Sequence, residues 1–152
     1  MLNFVSIVIP SYNGKHLLEK NLPAVVASLK GRALTEIIVV EDTSSDGTAD
    51  WLTEEYPEVK IIRNNNNLRF GRSCNRGVSQ AKGDIVVLLN NDVSPRSDFL
   101  SSVIPHFADE KIFAVGFGEI NSVNGKIISG GRGVSKFERG LVIHWRPKDQ
   151  NS

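Results

Sequence analysis

Residues 85–89 (Ile-Val-Val-Leu-Leu) form an unbroken apolar run that follows Gly83-Asp84 and stops at Asn90-Asn91-Asp92. A strand with one wet face alternates apolar and polar residues, whereas a run of this length after a glycine predicts a strand buried on both faces of a parallel sheet. Open sheets of that kind bind ligands outside the carboxyl ends of their strands, which is where the polar cluster falls. Asp92 is therefore either a metal- or phosphate-handling residue or a helix cap, and the segment alone leaves both readings open.

The rest of the chain repeats the theme. Val5-Ser6-Ile7-Val8-Ile9 reads as a first strand closed by Pro10, which has no N–H for a central ladder. After the turn Ser11-Tyr12-Asn13-Gly14, residues Leu18, Leu22, Val25, Val26 and Leu29 recur at helical spacing, with Gly31 suited to the C′ position. Pro23 is expected to kink or split that helix. A second strand over 36–40 ends in Glu41-Asp42, and residues 43–47 are rich in capping types that open a helix through about Glu55. A third strand covers 59–62, and the four asparagines 64–67 are loop chemistry. Phe70, Cys74, Val78 and Ala81 make an apolar helical stripe with Gly83 as its C-cap. Phe99, Leu100, Val103, Ile104 and Phe107 make another, with a late kink at Pro105. A fifth strand is expected over 112–120, a hairpin turn at Asn124-Gly125, a Gly-rich stretch from 130 and a last strand over 141–145. Strands alternating with helices imply an α/β fold: a mostly parallel sheet with helices on both faces and an antiparallel hairpin at one edge, towards the C-terminal part.

Composition narrows the function classes. The chain has 152 residues, enough for one domain with a real core, and its net charge of +1 without a basic run argues against nucleic acid as a partner. Apolar runs fall short of the ~20 residues of a membrane span. The start, Met1-Leu2-Asn3-Phe4, lacks the features of a signal peptide, so a cytoplasmic location is expected. Cys74 is the single cysteine, which excludes an internal disulfide and a cysteine-based zinc cluster, and its place on an apolar stripe reads as inert core.

The carboxyl ends of the first four strands carry Pro10-Ser11-Tyr12-Asn13, Glu41-Asp42, Arg63-Asn64 and Asn90-Asn91-Asp92, with Arg69 near them. Together they make a polar crevice suited to a nucleotide: Tyr12 beside a base or ribose, Asp42 accepting from a base N–H, Arg69 meeting phosphate. Asp92 suits a hard ion such as Mg²⁺ or Mn²⁺ bridging a diphosphate. Asp42 and Asp46 have a plainer reading as helix caps, and Arg69 as a solvated first-turn residue. Neither a P-loop nor Gly-x-Gly-x-x-Gly follows the first strand, and Gly-x-Ser-x-Gly is missing. His16, His106 and His144 show no ligand spacing.

Four motifs in order resemble family 2 glycosyltransferases of the GT-A fold: residues 5–13, the acidic segment 38–48, the stretch 67–77 with Asn75-Arg76-Gly77, and Leu88-Leu89-Asn90-Asn91-Asp92. By position the resemblance implies nucleobase contacts from Pro10, Tyr12 and Asp42, Arg69 near base or diphosphate, Asn91 near the ribose, and Asp92 on Mn²⁺ or Mg²⁺. Glu41 stands where many members have Asp, and the acidic triplet keeps one carboxylate, which weakens metal affinity. The resemblance further implies inverting transfer of a sugar from a nucleotide-diphosphate donor, a UDP- or dTDP-sugar first, to the hydroxyl of a saccharide or lipid-linked acceptor, and leaves room for peripheral attachment at the inner membrane face. The family's catalytic base lies well past the metal segment. No residue here is assigned to it, so residues 1–152 are expected to be the donor-binding portion of a longer enzyme, inactive alone. The alternative is a non-catalytic nucleotide-sugar-binding module.

Overall fold

The computed structural model of the chain describes residues 4–32, 34–123, 126–130, 134–138 and 141–145. It divides into two compact units, Met1–Pro105 and His106–Ser152. The first contains β1 (Val5–Ser11), α1 (Lys15–Ser28), β2 (Thr35–Glu41), α2 (Thr48–Glu55), β3 (Lys60–Arg63), α3 (Arg69–Val78), β4 (Ile85–Leu88) and α4 (Phe99–Val103). The strands form one four-stranded sheet in the order β3-β2-β1-β4, and every pairing is parallel. The direction of winding reverses between β1 and β4, which opens a crevice at their carboxyl ends.

Both faces of the sheet are covered, because successive strand residues point to opposite sides and Ile7, Val8 and Ile9 are all at most 1% exposed. Right-handed crossovers place α1 and α2 on one face and α3, which carries the chain back over β2 and β1, on the other. Val8, Ile38, Val40 and Ile62 cluster on one face of the strands. Gly77 lets α3 lie directly on them: a Cβ there would collide with Val8 and stand 2.9 Å from Val40.

Several boundaries differ from the sequence reading, each for a local reason. β1 continues through Pro10 to Ser11. The Val8 carbonyl accepts from the Leu89 N–H at 3.0 Å, so positions 8 and 10 turn the same backbone edge toward β4. Pairing with β4 stops at Val8↔Leu88, and the N–H that proline lacks has no partner to miss. Pro23 does not split α1: it lies on the exposed side, where water can satisfy the Glu19 carbonyl it leaves unpaired. Gly31 does take a left-handed φ of 81°. α3 ends at Val78, so Gly83 is not its cap. Gly83 is instead a close-approach residue, since a Cβ would stand 2.6 Å from the Ser6 nitrogen. β4 is an edge strand among the described residues, not one buried on both faces; Ile85 and Val87 are buried but Leu88 is 54% exposed. α4 gives way after Val103 to a 3-10 turn, Ile104–Ala108, because Pro105 has no N–H to continue the ladder.

In the second unit, residues 112–118 are not strand. Gly116 and Gly118 weaken any extended run, and Phe113 is 98% exposed. The first strand there is β5 (Glu119–Val123), antiparallel to β6 (Lys126–Gly130) in its own two-stranded sheet and not at an edge of the parallel one. The Asn124-Gly125 turn lies outside the described residues. β7 (Val134–Glu138) pairs antiparallel with β8 (Leu141–Trp145), so the Gly-rich stretch leads into a strand that its composition concealed.

Candidate functional site

An open cleft of about 580 Å³ lies at the reversal point of the sheet. Pro10, Ser11 and Tyr12 line it from the end of β1, Asp42 from the end of β2, Asn67, Arg69, Phe70 and Ser73 from the start of α3, and Asn91 from beyond β4. The five residues singled out as nucleotide contacts, Pro10, Tyr12, Asp42, Arg69 and Asn91, thus come together in one place. Asp92 lines an adjoining recess of about 170 Å³ with Pro10, Phe70, Asn90 and Asn91.

Asp42 is 3% exposed and organises the base of the cleft. Its Oδ1 accepts from Asn64 Nδ2 at 2.7 Å and the Leu68 N–H at 2.8 Å, and its Oδ2 accepts from the Arg69 N–H at 2.8 Å. The carboxylate therefore caps α3, twenty-odd residues away in sequence, and not the helix that follows it. Burial by itself would raise its pKa, but the hydrogen bonds from Asn64, Leu68 and Arg69 outweigh it and hold the carboxyl below its ordinary value. Asn64 also donates to Ser73 Oγ at 3.0 Å, and its buried Oδ1 has no partner among the described residues. The amide is thus oriented by its carboxylate contact. The Ser73 side chain also favours the ionised form, and the Asp42 carboxylate lines the cleft.

The loops above are tied to each other. Asn13 N–H donates to Ser44 Oγ at 3.0 Å, and Ser45 N–H to Asn13 Oδ1 at 2.8 Å. Asp46 accepts from the Lys15 N–H at 2.9 Å and the Thr48 N–H at 3.1 Å, so it caps α1 and α2 together, in line with its reading as a cap. Asn13, Thr43 and Arg69 all have positive φ (48°, 66° and 65°). Left-handed backbone at non-glycine residues, one of them β-branched, is strain that the surrounding bonds must hold, and all three positions adjoin or line the cleft. Tyr12 stands 55% exposed at its rim. Arg69 is exposed there too.

Other candidates fall elsewhere. Glu41 folds back onto the Ser44 N–H and does not line the cleft. Arg63 pairs with Asp50 at 3.3 Å on the surface. Cys74 is buried, and burial pushes its thiol pKa up.

Ser11, part of the crevice expected from the strand ends, does line the cleft, whereas sequence reasoning missed Asn67, Phe70 and Ser73 as lining residues, and Asn21 behind them. Asn91 is fixed by its Nδ2 on Ser11 Oγ at 3.1 Å and by its carbonyl, which accepts from Asn21 Nδ2 at 3.2 Å. Asn21 did carry a signal: it interrupts the apolar stripe Leu18, Leu22, Val25, and a polar residue there has to find a buried partner. Gly14 carries another, since a Cβ there would collide with Asn91 and stand 2.7 Å from Ser11 Oγ.

Among the described residues no three His, Cys, Asp or Glu side chains cluster. Asp92 is exposed, and Asn90 and Asn91 line the same recess. One carboxylate with amide oxygens beside it suits Mg²⁺ or Mn²⁺, which keep waters and use few protein ligands, better than it suits a softer ion.

A parallel sheet with a polar cleft at its reversal point defines the class: an α/β protein with an open cleft at the carboxyl ends of its strands. Comparison with known proteins gives the family. A profile of glycosyl transferase family 2 matches residues 6–149, and the chain belongs to that family. It is 29% identical over 118 residues to the glycosyltransferase AglE of Haloferax volcanii, covering 76% of this chain and 39% of that protein. It is 31% identical over 115 residues to the dolichol-phosphate mannosyltransferase of Pyrococcus furiosus, covering 74% and 32%. The chain thus spans about a third of the length of these relatives. Among solved structures it resembles a Pyrobaculum calidifontis mannosyltransferase in complex with GDP-Man and Mn²⁺ (TM-score 0.66, 24% identity, 74% of this chain and 34% of that one). It also resembles S. aureus TarS in complex with UDP (TM-score 0.63, 22% identity, 80% and 37%). These likenesses establish the GT-A fold.

Proposed function

We propose that the cleft binds the nucleoside diphosphate of a sugar donor and that the chain is the donor-binding part of an inverting, metal-assisted glycosyltransferase. The observation that carries this is the convergence of Pro10, Tyr12, Asp42, Arg69 and Asn91 on one cleft, with Asp92 in the recess beside it. The Asp42 carboxylate, an acceptor lining the cleft, favours a base with a ring N–H, such as uracil, thymine or guanine. Tyr12 offers an aromatic face at the rim, Asn91 a fixed amide for the ribose, and Arg69 a guanidinium for phosphate. Asp92, with Asn90 and Asn91, would hold Mn²⁺ or Mg²⁺, an ion that supplies neutralising charge for a departing diphosphate. The remaining chemistry is deprotonation of an acceptor hydroxyl by a carboxylate, a role given to no residue here. No described helix is long and apolar enough to cross a membrane. The neighbours that carry GDP-Man or UDP support a nucleotide-sugar ligand without choosing the base.

Calorimetric titration of the chain with UDP and GDP, with and without Mn²⁺ and with ADP as control, tests the reading. Binding of UDP or GDP that strengthens with Mn²⁺ and leaves ADP behind is the expected result. Failure of all nucleoside diphosphates to bind would overturn it.

A further inference from the structure

Phe70 occupies a position that its own helix marks as core but that the fold leaves open. On α3, the buried residues are Ser73, Cys74 and Gly77. Phe70 precedes them by three, four and seven residues, so it lies on the same face, one turn closer to the helix start. Ser73 and Cys74 are 1% and 5% exposed against the strands, whereas Phe70 is 62% exposed. At its level the strands beneath have ended. An apolar ring is thereby held on the sheet-facing stripe of the helix with more than half of its surface open, an arrangement that leaves that surface for something else to cover.

Its surroundings say what that is. Phe70, Pro10 and Asn91 are common to the main cleft and the Asp92 recess, and so mark the neck between them. A ligand reaching from Asp42 at one end to Asp92 at the other passes this neck with its middle portion. For a nucleoside diphosphate that portion is the ribose and the adjoining edge of the base, which have apolar faces; the phosphates lie further along.

Resting on the reading of the cleft as a nucleoside diphosphate site, we infer that Phe70 is a positioning residue that packs, with Pro10, on the nucleoside moiety and sets its path toward Asp92. Its contribution follows the nucleoside and is independent of the metal. This separates it from Asp92, whose contribution exists only with the metal.

The test uses the full 152-residue chain, with calorimetry against UDP, GDP and inorganic pyrophosphate, each with and without Mn²⁺. Phe70→Ala is expected to weaken the preferred nucleoside diphosphate about tenfold by the same factor with and without Mn²⁺, and to leave pyrophosphate unchanged. Phe70→Tyr, which keeps the ring, is expected to stay within about twofold of the parent. Because the ring is mostly exposed, the melting temperature of Phe70→Ala should equal that of the parent. Unchanged nucleoside diphosphate affinity in Phe70→Ala overturns the inference while the cleft reading stands. A lowered melting temperature with equal weakening toward pyrophosphate also overturns it, in favour of a packing role. A parent chain that binds no nucleoside diphosphate defeats the cleft reading, and this inference with it.

Discussion

Replacing Asp42 by Asn tests the claim that this carboxylate holds the floor of the cleft together. The amide keeps one oxygen for Asn64 and Leu68, but it sets an NH₂ group against the Arg69 N–H, which now has to rely on Asn67 Oδ1 at 3.0 Å. One charge-assisted hydrogen bond, ~1.5–3 kcal/mol, is lost. The favourable charge at the start of α3, ~0.3–1 kcal/mol, goes with it. The total is about 2–4 kcal/mol of stability at neutral pH, measured by urea unfolding followed through tryptophan fluorescence. The pH dependence has a definite sign. The folded pKa of Asp42 lies below its ordinary 3.8, so its stabilisation is complete above that value and is lost as pH falls through the folded value. Asp46 is depressed in the same direction but is present in both proteins and cancels in the difference. The gap between parent and Asp42→Asn should therefore be full at pH 7 and narrow as the pH falls below the ordinary 3.8 toward the folded value. A gap below ~0.5 kcal/mol at pH 7 would refute the reasoning, as would a gap that does not change on acidification.

Gly77→Ala should cost about 1–3 kcal/mol, because its methyl group enters space held by Val8 and Val40 and α3 has to lift from the sheet; chemical denaturation checks this, and a neutral outcome would mean that the helix yields freely. Asp92→Ala should leave the melting temperature unchanged, the side chain being exposed, and abolish the Mn²⁺ enhancement of nucleoside diphosphate binding. Full Mn²⁺ enhancement in that variant would remove Asp92 from the metal assignment.

Much of the architecture was legible in the sequence because periodicity is a local property. The runs in β1, β2 and β4 are apolar without alternation, and the helices between them show their stripes, so an α/β sheet and the polar ends of its strands follow from one-dimensional pattern. What failed were statements about coverage. The run after Gly83 looks doubly buried, yet β4 has a neighbour on one side only among the described residues, and Leu88 is exposed. Phe70 reads as one more member of an apolar stripe, and only its height relative to the strand ends turns it into a cleft residue. The run near Phe113 is apolar enough for a strand but is broken by Gly116 and Gly118.

Sequence by itself determined the alternation of strand and helix, the place of Tyr12, Asp42, Asn91 and Asp92 at strand ends, and the family motifs. Tertiary structure decided which of those polar groups are spent on holding the fold and which face the cleft. Glu41 is turned inward on Ser44, while Asp42 meets donors from Asn64, Leu68 and Arg69, residues that no spacing rule links to it. It also decided why Gly14, Gly77 and Gly83 must lack a side chain, since each lies against atoms of a distant segment. The physical reason is common to all of them. Side-chain periodicity depends on bonds along the chain, whereas hydrogen-bond partners and close approaches depend on distances across it, which exist only once the sheet has formed.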